Sequence, residues 1–218
     1  MAERDGVRWG PRSRGQTAQL VVLCHGLGGD GDQLADLAQG WSEALPDALF
    51  VGLDGPEPCE GAPFGRQWFS IADRTPAVLG VGAASAATFL NPRIDAELAR
   101  AGLPLDACAL AGFSQGAMMA LFAGLRRAPP PRAVLAYAGA LLAPDQLKAE
   151  LRGHPPVLLV HGEADDVVPA ARSRDAERAL GRLGVPVESL YCDGLGHGID
   201  TVGIAAGAAF LRRAFGLL

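Results

Sequence analysis

Ser114 lies in Gly112-Phe113-Ser114-Gln115-Gly116, a Gly-x-Ser-x-Gly pattern between the apolar runs 107–111 and 117–122. A strand should run in and a helix should run out. At such a turn a serine is held in strained backbone geometry with its hydroxyl exposed. A Cβ at either glycine would collide with neighbouring backbone where the chain is tightest. A serine hydroxyl is a weak nucleophile at neutral pH. It attacks a carbonyl when a neutral imidazole takes its proton and a carboxylate holds that imidazole in the right tautomer. The chemistry this points to is acyl transfer. With 29 Gly in the chain, the five-residue pattern arises by chance in roughly one such sequence in eight, so its weight rests on partners further along.

Of four histidines, His197 is the expected base, because it follows a strand-like run and is flanked by Gly196 and Gly198. His25 and His161 also end apolar runs, beside Gly26 and Gly162. They read as structural turn residues, since they precede loops rather than sit within them. His154, in a Pro-rich loop, reads as solvated. No two histidines stand at i, i+4, so no metal site is expected. The acid is Asp165 or Asp166. In His161-Gly162-x-x-Asp165-x-x-Val168-Pro169 the first carboxylate sits past the turn and ahead of the next helix, whereas Asp166 is placed to cap that helix.

An oxyanion needs backbone N–H donors. Gln115, after the serine, supplies one from a helix N-terminus, where the dipole also favours negative charge. The second is expected at Leu27, in the glycine-rich turn 26–31. Because both act through the main chain, side-chain substitution there should cost less than loss of a donor, which is worth about 10²–10³ in rate. That turn also invites a phosphate-loop reading, but it lacks the Lys-Ser/Thr of a P-loop and fits Gly-x-Gly-x-x-Gly poorly.

These residues need elements to hold them. Apolar, partly β-branched runs at 20–24, 48–53, 107–111, 133–137, 157–160 and 187–191 read as strands, the first suited to burial on both sheet faces. Helical spacing covers 34–45, 81–100, 115–127, 145–151, 170–183 and 200–215, with Asp30 or Asp32 as cap of the first. Pro92 is expected to kink the second or to start a new helix capped by Asn91. Strand and helix alternate nearly throughout, which implies an α/β fold with a mostly parallel sheet covered by helices on both faces. In such a sheet the loops at the carboxyl ends of strands converge on one edge and form the ligand crevice. Residues 1–18 read as an extension or, at Val7-Arg8-Trp9, an edge strand. No repeat or linker divides residues 1–218, so one domain is expected. The stretch from Asp54 to about Gly80 has no periodicity yet carries Phe64, Trp68, Phe69 and Ile71. Long irregular loops of this kind usually bind something. These four side chains are candidates for a substrate wall, the plainer alternative being that they pack the loop onto the sheet.

A net charge of −5 argues against a nucleic-acid partner and offers no basic patch for anionic lipid. No run reaches the length of a membrane span, and the charged N-terminus lacks an apolar signal core. Cys24, Cys59, Cys108 and Cys192 are far apart without Cys-x-x-Cys spacing. They suit reduced thiols in a cytoplasmic protein.

Five ordered stretches together resemble the phospholipase/carboxylesterase family: Leu23–Gly31, Arg66-Gln67-Trp68-Phe69-Ser70, Ala111–Ala117, His161–Asp165 and Gly194-Leu195-Gly196-His197. The resemblance spans nearly the whole chain from about Gln19. It implies a three-layer α/β-hydrolase without a large cap domain, in which Ser, Asp and His occur in that order. It implies Ser114, Asp165 and His197 as the triad, Leu27 and Gln115 as oxyanion donors, no cofactor, and esters or thioesters as substrates. Thioesterase-like members usually carry Trp-Phe-Asp where this chain has Trp68-Phe69-Ser70. The Trp-Phe-Ser form is similar to bacterial carboxylesterases and implies small to medium esters rather than protein depalmitoylation. A serine carboxylesterase is the expected activity, with an acyl thioesterase or lysophospholipase as alternative. Some members pair near the site, which leaves a homodimer open, although no patch in this sequence argues for one.

Overall fold

The computed structural model describes residues 6–217. Seven strands form one sheet in the order β1 (Val7–Trp9), β3 (Ala48–Leu53), β2 (Gln19–Cys24), β6 (Cys108–Phe113), β7 (Ala133–Tyr137), β8 (Val157–Gly162) and β9 (Val187–Cys192). All neighbours are parallel except β1, which runs antiparallel to β3 as an edge strand. The alternation of strand side chains divides the core. Leu20, Val22, Leu110, Val134 and Leu159 face one side, beneath α2 (Pro76–Ala101), α3 (Gln115–Arg126), α4 (Pro144–Glu150) and α5 (Ala171–Arg182). Val21, Leu23, Leu135 and Val160 face the other, beneath α1 (Ala35–Trp41) and α6 (Thr201–Ala214). The central strands are buried on both faces, which is why they read as continuous apolar runs. This is the three-layer α/β-hydrolase architecture, and among the described residues no large cap covers it.

Three elements differ from the sequence expectation. Neither Asp30 nor Asp32 caps α1. The helix starts after Leu34 without a side-chain cap, and Asp30 instead accepts from the Asp32 amide at 3.0 Å. The helix expected from 81 begins at Pro76, behind Thr75, and passes through Pro92 without a second start at Asn91. Its first turn is exposed, so it contributes no apolar period. Pro92 is tolerated because it and Thr88, whose carbonyl loses its donor, are both solvent-exposed, while Leu90, Ile94 and Leu98 bury the opposite face. Within the aperiodic stretch, β4 (Glu57–Pro58) and β5 (Arg66–Gln67) form a small antiparallel hairpin. Two residues per strand are too few to alternate.

Candidate active site

Strand β6 delivers Phe113 to the carboxyl edge of the sheet, and α3 starts two residues later. Between them Ser114 has φ 54° and ψ −117°, a conformation non-glycine residues rarely adopt. Its neighbours make the turn possible. A Cβ on Gly112 would lie 2.2 Å from the Gly116 carbonyl oxygen, and one on Gly116 would lie 1.9 Å from that of Cys24. The Ser114 amide is held by the Tyr137 carbonyl at 2.8 Å.

The loop after β9 brings His197 to this serine, with Nε2 3.0 Å from Ser114 Oγ. Its Nδ1 lies 2.7 Å from Asp165 Oδ2. Since a carboxylate only accepts, Nδ1 carries the proton and Nε2 presents a lone pair to the hydroxyl. The Phe113 ring packs on the imidazole, centroids 4.8 Å apart, and the His197 side chain retains 17% exposure. The Asp165 side chain is fully buried. Burial is the largest influence on its ionisation and opposes the charge. Hydrogen bonds from His197 and from the Val168 and Val167 amides together outweigh it, so its carboxyl lies below the usual range. Those amides reach Oδ1 at 2.8 and 2.9 Å. Asp166 is exposed and does not cap α5, which has no side-chain cap.

Gln115 follows the serine directly, and the loop carrying Leu27 comes close through Gly26, where an added Cβ would lie 3.4 Å from the Ser114 Cβ. Among the described residues neither backbone N–H has a hydrogen-bond acceptor. The Leu27 amide is aimed from behind. Buried His25 donates from Nδ1 to the Gly26 carbonyl at 2.6 Å and accepts the Gly55 N–H on Nε2 at 2.8 Å. In a trans peptide C=O and N–H point oppositely, so pinning the Gly26 carbonyl toward His25 turns the Leu27 N–H away from it. Gln33 completes the turn by accepting the Gly26 N–H at 2.6 Å. Burial lowers the tendency of His25 to protonate.

The aperiodic stretch folds over this loop, with Gly28 N donating to the Arg66 carbonyl at 2.9 Å and Arg66 N to that of Gly29 at 2.7 Å. Trp68 and Phe69 are buried, and Trp68 Nε1 donates to the His25 carbonyl at 2.9 Å. Both line a cavity of about 450 Å³ whose rim includes Val78 and Val81. Ile71 is half-buried against the core, while Phe64 is 78% exposed. Ser70 donates to Glu60 Oε2 at 2.8 Å; an aspartate there would face a carboxylate.

Three features escaped the sequence reading. Gln115 contributes a buried side chain as well as an amide. His25 and His161 are not mere turn residues, for each hydrogen-bonds a loop of the site. The only local signal was the repeated His-Gly at two strand ends.

Fold and site together define an α/β-hydrolase with a serine, imidazole and carboxylate joined in series. The chain belongs to the phospholipase/carboxylesterase family, whose model matches residues 12–214. It is similar to the esterase YpfH of Escherichia coli, 31% identical over 183 residues that span 84% of this chain and 77% of that one. It is also similar to acyl-protein thioesterase 1 of Gibberella zeae, 26% identical over 91% of both. The crystal structure of the esterase PE8 superposes with a TM-score of 0.90 at 40% identity, covering 96% of this chain and 98% of that one.

Proposed function

We propose that this carboxylic ester hydrolase cleaves small to medium esters through an acyl-enzyme on Ser114. The observation that carries the reading is the series Ser114 Oγ, His197, Asp165, with separations of 3.0 and 2.7 Å. Ser114 Oγ attacks the ester carbonyl carbon as His197 Nε2 takes its proton. The carbonyl electrons move to oxygen, where the Leu27 and Gln115 amides receive the charge. As the carbonyl reforms, the alcohol leaves with the proton from Nε2. A water then repeats the sequence and releases the acid. Asp165 stays ionised throughout and stabilises the imidazolium.

Phe64 and Ile71 are proposed to touch the acyl chain, with Trp68 and Phe69 forming the wall beneath them. The Ser70–Glu60 pair supports the carboxylesterase branch, because it suits serine rather than aspartate at that position. Free Cys24, Cys59, Cys108 and Cys192 support a reducing, cytoplasmic setting. Among the described residues no helix is long and apolar enough to cross a membrane. Thioesterases among the relatives support a second reading, acyl thioester hydrolysis by the same residues.

A fluorophosphonate probe should label Ser114 and no other residue. Rates on p-nitrophenyl acetate, a long-chain ester and a palmitoyl thioester rank the substrate classes. A higher kcat/KM on the palmitoyl thioester would replace the ester reading with the thioester one.

A further inference from the structure

His161 takes no part in the proton transfers to and from Ser114, yet it is the second imidazole on the Asp165 carboxylate. It stands at the end of β8 with its side chain fully buried. Its Nε2 lies 2.7 Å from the Val168 carbonyl and 3.1 Å from Asp165 Oδ2. A carbonyl and a carboxylate only accept, so the proton sits on Nε2 and is shared between them. On the far side Nδ1 lies 2.6 Å from Ser173 Oγ. Ser173 is buried in the first turn of α5. A neutral ring satisfies the whole set, because the hydroxyl donates to Nδ1 and so polarises the N–H at Nε2.

We infer that His161, backed by Ser173, is a positioning residue that holds the Asp165 carboxylate and divides the charge of Oδ2 between two imidazoles. The inference rests on Asp165 being the acid of the triad. Oδ1 takes the Val167 and Val168 amides, and Oδ2 takes His197 and His161. Rotation of the carboxylate would break all four bonds. Neighbouring ionisable groups are engaged elsewhere: Glu163, two residues along the chain, is exposed and pairs with Arg174 of α5, and Tyr191, beside His161 in the β8–β9 register, donates to Glu177.

Two consequences follow from removing the Nε2 proton donor. The acid becomes less firmly aimed, so kcat falls. More of the charge of Oδ2 also faces His197, which favours the imidazolium and moves the acid limb of kcat/KM to higher pH. A side chain that only filled space would change stability or kcat without moving that limb.

The test uses the full chain with p-nitrophenyl acetate, rates being normalised to sites titrated by fluorophosphonate. His161→Phe keeps a ring and removes both nitrogens. It is expected to lower kcat about 10-fold with KM within about twofold, and to raise the midpoint of the acid limb by about half a pH unit. His161→Gln, which returns an N–H donor and an acceptor, should recover most of both. Ser173→Ala should move the limb the same way by a smaller amount. A limb that stays in place in His161→Phe overturns the inference. If that variant does not fold, an unmoved limb in Ser173→Ala overturns it instead. Failure of the underlying triad reading looks different: wild-type protein escapes the fluorophosphonate, or Asp165→Asn keeps its rate.

Discussion

Gln115 is clamped to Trp68: its side-chain Oε1 accepts the Trp68 N–H at 2.9 Å while its Nε2 donates to the next carbonyl, that of Phe69, at 2.7 Å. The residue after the serine therefore ties the tight turn to the loop that carries the candidate substrate wall. All the groups involved are buried. The Gln115→Ala variant leaves a donor and an acceptor of the main chain unpaired, which should cost about 2–4 kcal/mol and lower Tm by roughly 5–15 °C. The expectation of a mild side-chain effect concerns the main-chain amide alone, and the clamp gives the Gln115 side chain a separate structural role. Thermal denaturation of the variant checks this, and an unchanged Tm would remove the clamp.

The three linked side chains should fail unequally. Ser114→Ala should abolish fluorophosphonate labelling and hydrolysis. Asp165→Asn keeps the volume but no longer selects the His197 tautomer, so kcat should fall by about 10³–10⁴. Steady-state kinetics with titrated active sites measures both. An Asp165→Asn enzyme within tenfold of wild type would point to another acid.

Rate should rise with pH as the His197 imidazole loses its proton and can accept one from Ser114. A kcat/KM that does not change with pH would remove His197 as the base.

Acid should also loosen the fold through two groups. The folded Asp165 carboxyl is held below its ordinary value, so its contribution is present above about pH 4 and is lost as pH falls through the native value. Burial holds His25 below the ordinary histidine value. An unfolded chain binds that proton first, so stability falls as pH drops below about 6.5. Asp54 and Asp30 oppose this effect and Arg66 reinforces it. Urea midpoints at pH 7, 5.5 and about 3 should decline in the wild type, the last step carrying the Asp165 loss. The decline between the first two should shrink in His25→Phe, and an equal decline would exclude His25 as its source.

Gly116→Ala is expected to be more damaging than its one methyl suggests. The added carbon would lie 1.9 Å from the Cys24 oxygen and 2.5 Å from that of His25. The N-terminus of α3 would have to retreat from β2, at a cost of more than about 3 kcal/mol. Loss of probe labelling together with a lowered urea midpoint is the expected result; a variant labelled at the wild-type rate would show that the turn can adapt.

Much of this was written locally along the chain. The alternation of apolar runs and helical spacings reports burial on two sheet faces, and that pattern depends on near neighbours, so residue types alone carry it. In the Gly-x-Ser-x-Gly turn the first glycine answers to Gly116 within the motif, whereas the second answers to the carbonyls of Cys24 and His25 at the end of β2. Contact between Ser114 and His197, 83 residues apart, depends instead on how β6 and β9 are placed in the sheet. The same holds for the burial that separates Asp165 from exposed Asp166. His25 and His161 occupy matching His-Gly steps, yet the two rings carry their proton on opposite nitrogens. Each tautomer is set by the partners that folding supplies: the Gly26 carbonyl and Gly55 amide for one, the Val168 carbonyl and Ser173 hydroxyl for the other. A proton's location follows from those neighbours, and nothing in a residue's identity or spacing encodes it.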